Sequence, residues 1–442
     1  MSEPRLSYLR VIRLSVPVMM AQAAIAATGV VDTAVMGLAG TKADLAAIAI
    51  ASSVFSFLYW GFGFLRMSTT GLVAQAQGRG DVSAARAVVQ RALCLGLALG
   101  LLLLVVAPFA RTAVFFPFGA TASVNGLGQA YFDARIWGAP ALLMSYGITG
   151  WLLGTGRTGA LLVMQLVMNG VNVGLDAWFV LGLGWGPAGI GAGTAIAEWA
   201  ALLVGLLLIR GSLKPERGLG DRQALGALFG ANRDVLIRTL AMLFCFAWFV
   251  RSGTQLGTAT LAGNQILLQF IAVSAFILDG FAFVAEKEVG EAFGARRRDQ
   301  LVRAMQVTSI LAFGFACGLA LLYALCGAWL INDYIRDPEA REVALGFLPY
   351  CAIVPVLGVV AYQLDGFLLG ATRGQALRTA ALIVVPFYVG LDLWLRPALG
   401  NQGVWLAFLG MFVVRGVAHG AFVPGLLTET SANQPQRPLP RS

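Results

Sequence analysis

The chain has 442 residues, 58% of them hydrophobic and 12% charged, with a mean hydropathy of +0.78 and a formal net charge of +9. That much apolar surface cannot be hidden in a soluble core, which places the chain in a bilayer. The basic excess has no aromatic-interleaved basic face of the kind nucleic acids bind, so no nucleic-acid partner is expected.

Apolar runs of about 20 residues, long enough to cross about 30 Å of hydrocarbon, recur from end to end, and strand-like alternation is absent. Twelve helical spans follow, at about 14–38, 45–75, 88–110, 129–155, 158–183, 188–210, 233–257, 259–289, 303–330, 343–370, 376–396 and 402–426. Arg10, Arg13, Arg79, Arg86, Arg91, Arg210, Lys214 and Arg296 to Arg298 fall on one side. The positive-inside rule makes that side cytoplasmic, with both termini inside. Cys94, Cys245, Cys317, Cys326 and Cys351 show no metal-ligand spacing and read as packing residues. Residues 1–29 look superficially like a secretory leader, but the apolar run continues past any cleavage point and reads as the first span.

Span one carries Pro17, which removes a backbone donor and makes either a hinge or a static kink, and Asp32 fifteen positions later. Span two embeds Arg66 in FLRMSTTG, as a structural counter-ion or as part of a polar path. Gly96 with Gly100, and Gly150 with Gly154, permit close helix contact. Span five holds Asn172 and Asp176 four apart on one face; span six holds Thr194 and Glu198 in the same way. At about 1.5 Å per residue, Asp32, Asn172, Asp176 and Thr194 share one depth in the outer half of the membrane. Such an agreement points to function, since buried polar groups are costly. The GxGxxG at Gly184, Gly186 and Gly189 lies between two spans, not after a strand, and reads as a tight turn. Span eight places Asp279 and Glu286 on one face, where they either pair with cations or line an inward-facing cavity. Asp365 and Arg373 are placed to pair at the cytoplasmic rim, and span eleven carries Asp392.

The chain is one unit made twice. GWLLGTGRTGAL from Gly150 returns as GFLLGATRGQAL from Gly366, and GLDAW from Gly174 as GLDLW from Gly390; 366 − 150 and 390 − 174 both give 216. Leu45-Ala46 and Gly78 keep that offset with Leu261-Ala262 and Gly294. Asp392 repeats Asp176, but Tyr388 stands where Asn172 does, which weights the first half as the ion site. The expected organisation is a lobe at 1–215, a cytoplasmic linker at 216–232, a second lobe at 233–427 and a disordered tail at 428–442.

With VDTAVMG around Asp32, FLRMSTTGLVAQAQG, LDGFAFVAE and the GATR block, the sequence resembles the MATE multidrug-efflux transporters, in their DinF-like branch. The resemblance implies an all-α membrane protein of twelve transmembrane helices in two pseudo-symmetric six-helix lobes around a central cleft. It implies a cation-coupled antiporter in a bacterial inner membrane, and no enzyme. Family positions for the coupling H+ or Na+ match Asp32, Asn172, Asp176 and Thr194, and the family's bending proline matches Pro17. The carboxylate that another branch carries on span seven has no counterpart here, and the role of Asp392 rests on the repeat alone.

These observations predict export of amphipathic, often cationic xenobiotics, with H+ favoured over Na+, by a monomer that needs no cofactor. Metal binding is limited to Na+ at the coupling site. Arg66, Glu198, Asp279, Glu286 and Asp392 form a candidate polar network. Two other readings remain: a lipid-linked saccharide flippase, for which more arginine in the cleft is expected, and an intramembrane enzyme. The enzyme reading finds no HExxH or GxSxG, and His419 is the only histidine.

Overall fold

The structure is a computed structural model that describes residues 6–116, 120–214, 216 and 222–432. Fifteen α-helices occur among these residues, and no strand. In chain order they are α1 (Tyr8–Ala39), α2 (Lys42–Gly61), α3 (Phe64–Gly78), α4 (Val82–Phe115), α5 (Ala122–Arg135), α6 (Ala139–Gly154), α7 (Thr158–Asp176) and α8 (Gly186–Ile209). They continue as α9 (Arg222–Gln255), α10 (Thr258–Gly294), α11 (Arg298–Tyr334), α12 (Pro338–Gly370), α13 (Gly374–Leu399), α14 (Asn401–Gly420) and α15 (Val423–Ala432). They supply 12 segments long and apolar enough to cross a membrane, with α2 and α3, α5 and α6, and α14 and α15 each sharing one.

Local chemistry sets the boundaries. Thr41 and Asp44 form a reciprocal capping box at the start of α2, and Asp337 accepts from the Glu339 amide ahead of Pro338 at the start of α12. Gly61, Phe62 and Gly63 interrupt the second span between α2 and α3. Helix α1 runs on through Pro17. Gly184 and Gly186 both have positive φ, at 69° and 59°, which makes the GxGxxG segment a turn only glycine forms without strain.

The described residues fall into two compact units. One comprises Val16–Val73 and Ser83–Leu228; the other takes in Ala74–Val82, the chain from Phe229 onward, and the residues before Val16. Helix α1 thus changes unit between Ser15 and Val16, beside Pro17, and α3 between Val73 and Ala74. Of the expected linker at 216–232, residues 217–221 lie outside the described residues, and the chain is already helical from Arg222. The expected tail at 428–442 begins inside α15, and its residues 433–442 lie outside the described ones.

Each unit has its own core. Met36, Phe55, Tyr131 and Phe132 centre the first; Phe249, Tyr388, Trp405, Phe408 and Phe412 centre the second. Apolar burial gains little against lipid, so close approach through small residues carries much of the packing. A Cβ on Gly150 would lie 2.7 Å from the Arg66 carbonyl oxygen, and one on Gly154 2.8 Å from that of Thr70. In the second unit Gly366 meets the Ala282 carbonyl at 2.6 Å in the same sense, and Gly370 meets that of Glu286. All four pairs of positions differ by 216, so the repeat read from sequence is also a repeat of contacts.

Candidate functional site

The polar positions expected at one depth in the first half come together. Asp32 on α1, Asn172 and Asp176 on α7, and Thr194 on α8 are all buried within one unit. Asp32 and Asp176 face each other within hydrogen-bonding reach, and Asn172 reaches both. The Asn172 amide nitrogen donates to the Thr194 hydroxyl at 3.2 Å, and that hydroxyl donates to the Ile190 carbonyl at 2.9 Å.

Thr194 has spent its single proton on Ile190, and Asn172 directs its N–H at Thr194. Asp32 Oδ1, both oxygens of Asp176 and Asn172 Oδ1 are buried without a hydrogen-bond donor among the described residues. A buried group of acceptors is costly unless something positively polarised joins them. Two carboxyl groups in contact therefore want a shared proton or a bound cation.

The scaffold explains how the acids are held. Helix α7 ends its regular winding at Asp176 and continues as a π-helical turn over Ala177–Gly182, where the Leu183 amide bonds the Trp178 carbonyl; such turns redirect side chains at functional sites. Gly193 on α8 lets Asp176 in, since a Cβ there would collide with Asp176 Oδ1. Below the acids, Asn169 fastens α7 to α1: it donates to the Ala24 carbonyl and accepts from Thr28 at 3.0 Å and from Gln165 at 3.1 Å. Thr28 and Asn169 lie one helical turn below Asp32 and Asn172, so they set the separation of the two helices there.

Glu198 lies one turn beyond Thr194 on α8, with both carboxylate oxygens buried and without a hydrogen bond; Gly138 makes room for one of them. Its cation is Arg135 on α5, whose Nη2 stands 3.9 Å from Glu198 Oε1. Arg135 also donates to the Tyr131 hydroxyl and lies near the rings of Phe55 and Tyr59, at 4.9 and 5.9 Å. Arg66 is buried on α3, with Tyr146 of α6 in its field.

Asp279, Glu286 and Asp392 belong to the other unit. Asp392 is buried and well supplied with donors: Trp248 Nε1 and Ser252 Oγ each at 2.9 Å, and Arg396 Nε at 3.5 Å. Asp279 interacts electrostatically with Arg238, and Glu286 is buried with its backbone against Gly370. The expected Asp365–Arg373 pair is not formed. Asp365 is gripped by Arg238 and Arg415, with His419 Nδ1 at 3.2 Å, whereas Arg373 pairs with Glu429 on α15. The turn at Gly370–Thr372 carries Arg373 out towards α15, while Asp365 stays buried on α12 facing α9 and α14.

Sequence reasoning missed Thr28, Gln165, Asn169, Tyr131 and Arg135. The signal for the first three was the spacing of polar residues one turn (Thr28, Asn169) or two turns (Gln165) from Asp32 and Asn172 on otherwise apolar helices.

Comparison with known proteins agrees with this architecture. The MatE family model matches residues 17–178 and again 235–394, once per repeat. DNA damage-inducible protein F of Escherichia coli K12 is 33% identical over 416 residues, covering 92% of this chain and 90% of that protein. Multidrug resistance protein NorM of Aliivibrio fischeri is 26% identical, with 91% of each covered. Among solved structures, the Vibrio cholerae MATE transporter VcmN in its bent form superposes with a TM-score of 0.88 at 16% identity, over 96% of this chain and 98% of that one. A MATE protein in a bent conformation gives 0.87 at 20% identity, over 96% and 97%. Matched along both repeats and built on twelve membrane-length segments, the chain belongs to the MatE family, whose members are transporters and not enzymes.

Proposed function

We propose that this chain is a proton-coupled antiporter of a bacterial inner membrane, with both termini cytoplasmic, exporting amphipathic and often cationic small molecules. One observation carries the reading: two buried carboxyl groups face each other, and Asp32 Oδ1 and both oxygens of Asp176 have no hydrogen-bond partner among the described residues. A single proton satisfies two carboxyl groups at once, which favours H+ over Na+. Protons arriving from outside neutralise the pair, α1 and α7 repack about Asn169, and the bound compound is released outward. Pro17 gives α1 a weak turn at which to bend. The names of the relatives, a multidrug resistance protein among them, support the substrate class.

The energetics suffice. One elementary charge moving through about 100 mV yields about 2.3 kcal/mol, enough for a concentration ratio of about fifty. The test is uptake of a fluorescent cationic dye into inverted vesicles under separately imposed gradients. A proton gradient is expected to drive uptake and a Na+ gradient alone is not. Uptake driven only by Na+ overturns the coupling ion, and no uptake under either gradient overturns the antiporter.

A further inference from the structure

The mechanism above uses Asp32 and Asp176 but leaves unexplained two charged groups of the same unit, the buried Glu198 and the half-buried Arg135. A locked structural ion pair makes short, forked hydrogen bonds. Asp365 in the other unit is locked differently but as firmly, hydrogen-bonded on Oδ2 by the guanidinium groups of both Arg238 and Arg415. Arg135 and Glu198 differ. They stand 3.9 Å apart without a hydrogen bond, neither oxygen of Glu198 has a donor, and Arg135 Nε has no acceptor. The guanidinium is held instead by the Tyr131 hydroxyl and the faces of Phe55, Tyr59 and Tyr131, contacts that fix its place while leaving its charge unspent.

From that place it acts on both acidic sites. Glu198 and Asp32 are both in its field, and Asp176 is as well. The groups facing it are Glu198 from α8, Tyr59 from α2, Tyr131 from its own helix, Asp32 from α1 and Asp176 from α7; Glu198 also faces Tyr59 and Tyr146. Three carboxylates thus share one guanidinium, which can neutralise a single one of them. In low dielectric such a shortage is costly, and the cation's preference changes whenever a proton joins or leaves either side.

We propose that Arg135 is the built-in counter-cation of the coupling site, resting with Glu198 while a proton neutralises Asp32 and Asp176 and drawn to those two carboxylates when the proton departs. Glu198 is the parking acid, and the aromatic collar is the track. This rests on the antiporter reading and adds what that reading lacks: a charge within the protein that stabilises the buried carboxylates once the proton has left. Arg135 is a positioning residue here, touching neither the drug nor the proton.

The test is proteoliposomes holding the full chain as wild type, Arg135→Gln, Arg135→Lys, Glu198→Gln or the Arg135→Gln/Glu198→Gln double variant, each read by two assays. One is proton-driven efflux of a cationic dye as a function of pH; the other is dye counterflow with no ion gradient. Without its counter-cation the acid pair holds its proton more firmly, so Arg135→Gln moves the pH optimum of driven efflux upward by about one unit. Without its parking acid the arginine stays on the acid pair, so Glu198→Gln moves the optimum downward by about the same amount. The double variant behaves as Arg135→Gln does, and Arg135→Lys keeps the wild-type optimum. Counterflow falls less than threefold throughout, which shows that the variants fold. Shifts of the same sign, no shifts, or loss of both assays in every variant overturn the proposal. If wild type shows no proton-driven efflux, the antiporter reading fails first and takes this one with it; if wild type is proton-driven and the opposed shifts are missing, only the counter-cation is wrong.

Discussion

Asp176 and Asp392 occupy the same position in the two copies of one repeat, both fully buried on the helix that follows the GTGR turn in one copy and the GATR turn in the other, yet their surroundings differ. Asp176 has no hydrogen-bond donor on either oxygen and faces another carboxyl group. Asp392 receives an indole N–H and a hydroxyl on Oδ2, where the Arg396 guanidinium pairs with it, and only its Oδ1 lacks a donor among the described residues. The offset of 216 explains the difference, because it carries Asp32 to Trp248, the residue that donates to Asp392, and Asn172 to Tyr388. Where one copy sets acid against acid, the other sets acid against donor. A carboxylate that a guanidinium and two donors hold on one oxygen is a structural element; one with no donor on either oxygen and another acid opposite can take up and give back a cation. Residue identity alone, even at a repeated position, therefore does not assign a role; the company it keeps does.

The strongest way to break this comparison is to remove the carboxylate from each copy in turn. Asp32→Asn and Asp176→Asn are each expected to cut proton-driven dye exchange at least about a hundredfold, since the exchangeable charge is gone while the amide still fits. Asp392→Asn is expected to keep exchange per folded molecule within about threefold, and to lower stability by about 1–3 kcal/mol, because it trades a charged acceptor for a weaker one. Exchange that survives Asp32→Asn, or dies with Asp392→Asn at unchanged stability, would invert the assignment of the two copies.

A second, smaller effect separates stability from function within the second copy. Asp365 answers Arg238 and Arg415 at once, so Asp365→Asn leaves a buried guanidinium, that of Arg415, and a half-buried one, that of Arg238, around a neutral amide. The expected loss is about 3–5 kcal/mol, read by thermal unfolding in detergent. A loss below about 1 kcal/mol would mean that the cluster is hydrated and free to act elsewhere.

Much of this architecture is legible in the sequence, for identifiable reasons. Spans are set by hydrocarbon thickness, so apolar run length found all twelve, and the repeat was visible because Gly150, Gly154, Gly366 and Gly370 each take a carbonyl at van der Waals limits and tolerate no side chain. Depth along a helix is linear in residue number, which brought Asp32, Asn172, Asp176 and Thr194 to one level. Rotation about the helix axis and long-range partner choice are not linear in anything the chain displays. Arg135 sits in YFDARIWG at a break between α5 and α6, where an arginine reads as a solvated boundary residue, and nothing nearby in sequence announces Glu198. Asp365 illustrates the same limit: Arg373 is eight residues away and Arg238 and Arg415 are 127 and 50 away, yet the distant ones bind.

The smallest expected effect comes from the backbone, and it tests the repeat itself. Gly80 and Gly156 adopt left-handed φ of 72° and 71°; their counterparts at the offset of 216 are Arg296 and Thr372, held at 55° and 54°. The second copy therefore keeps the first copy's turn geometry with side chains that resist it. A left-handed residue other than glycine costs about 1–2 kcal/mol, and glycine gives back about 0.5–1 kcal/mol through the freedom of the unfolded chain. Arg296 is the cleaner of the two, because its side chain is exposed while the Thr372 hydroxyl accepts from Gln75 at 3.0 Å. Arg296→Gly should then stabilise the protein by about 0.5–1 kcal/mol, whereas Gly80→Ala at the matching turn should destabilise it by about 1 kcal/mol. Opposite signs in thermal unfolding, measured in one detergent, would follow from two copies that share a backbone and differ in how well their sequences suit it; equal signs would mean that the turn at 296 relaxes to its own geometry and the copies have diverged there.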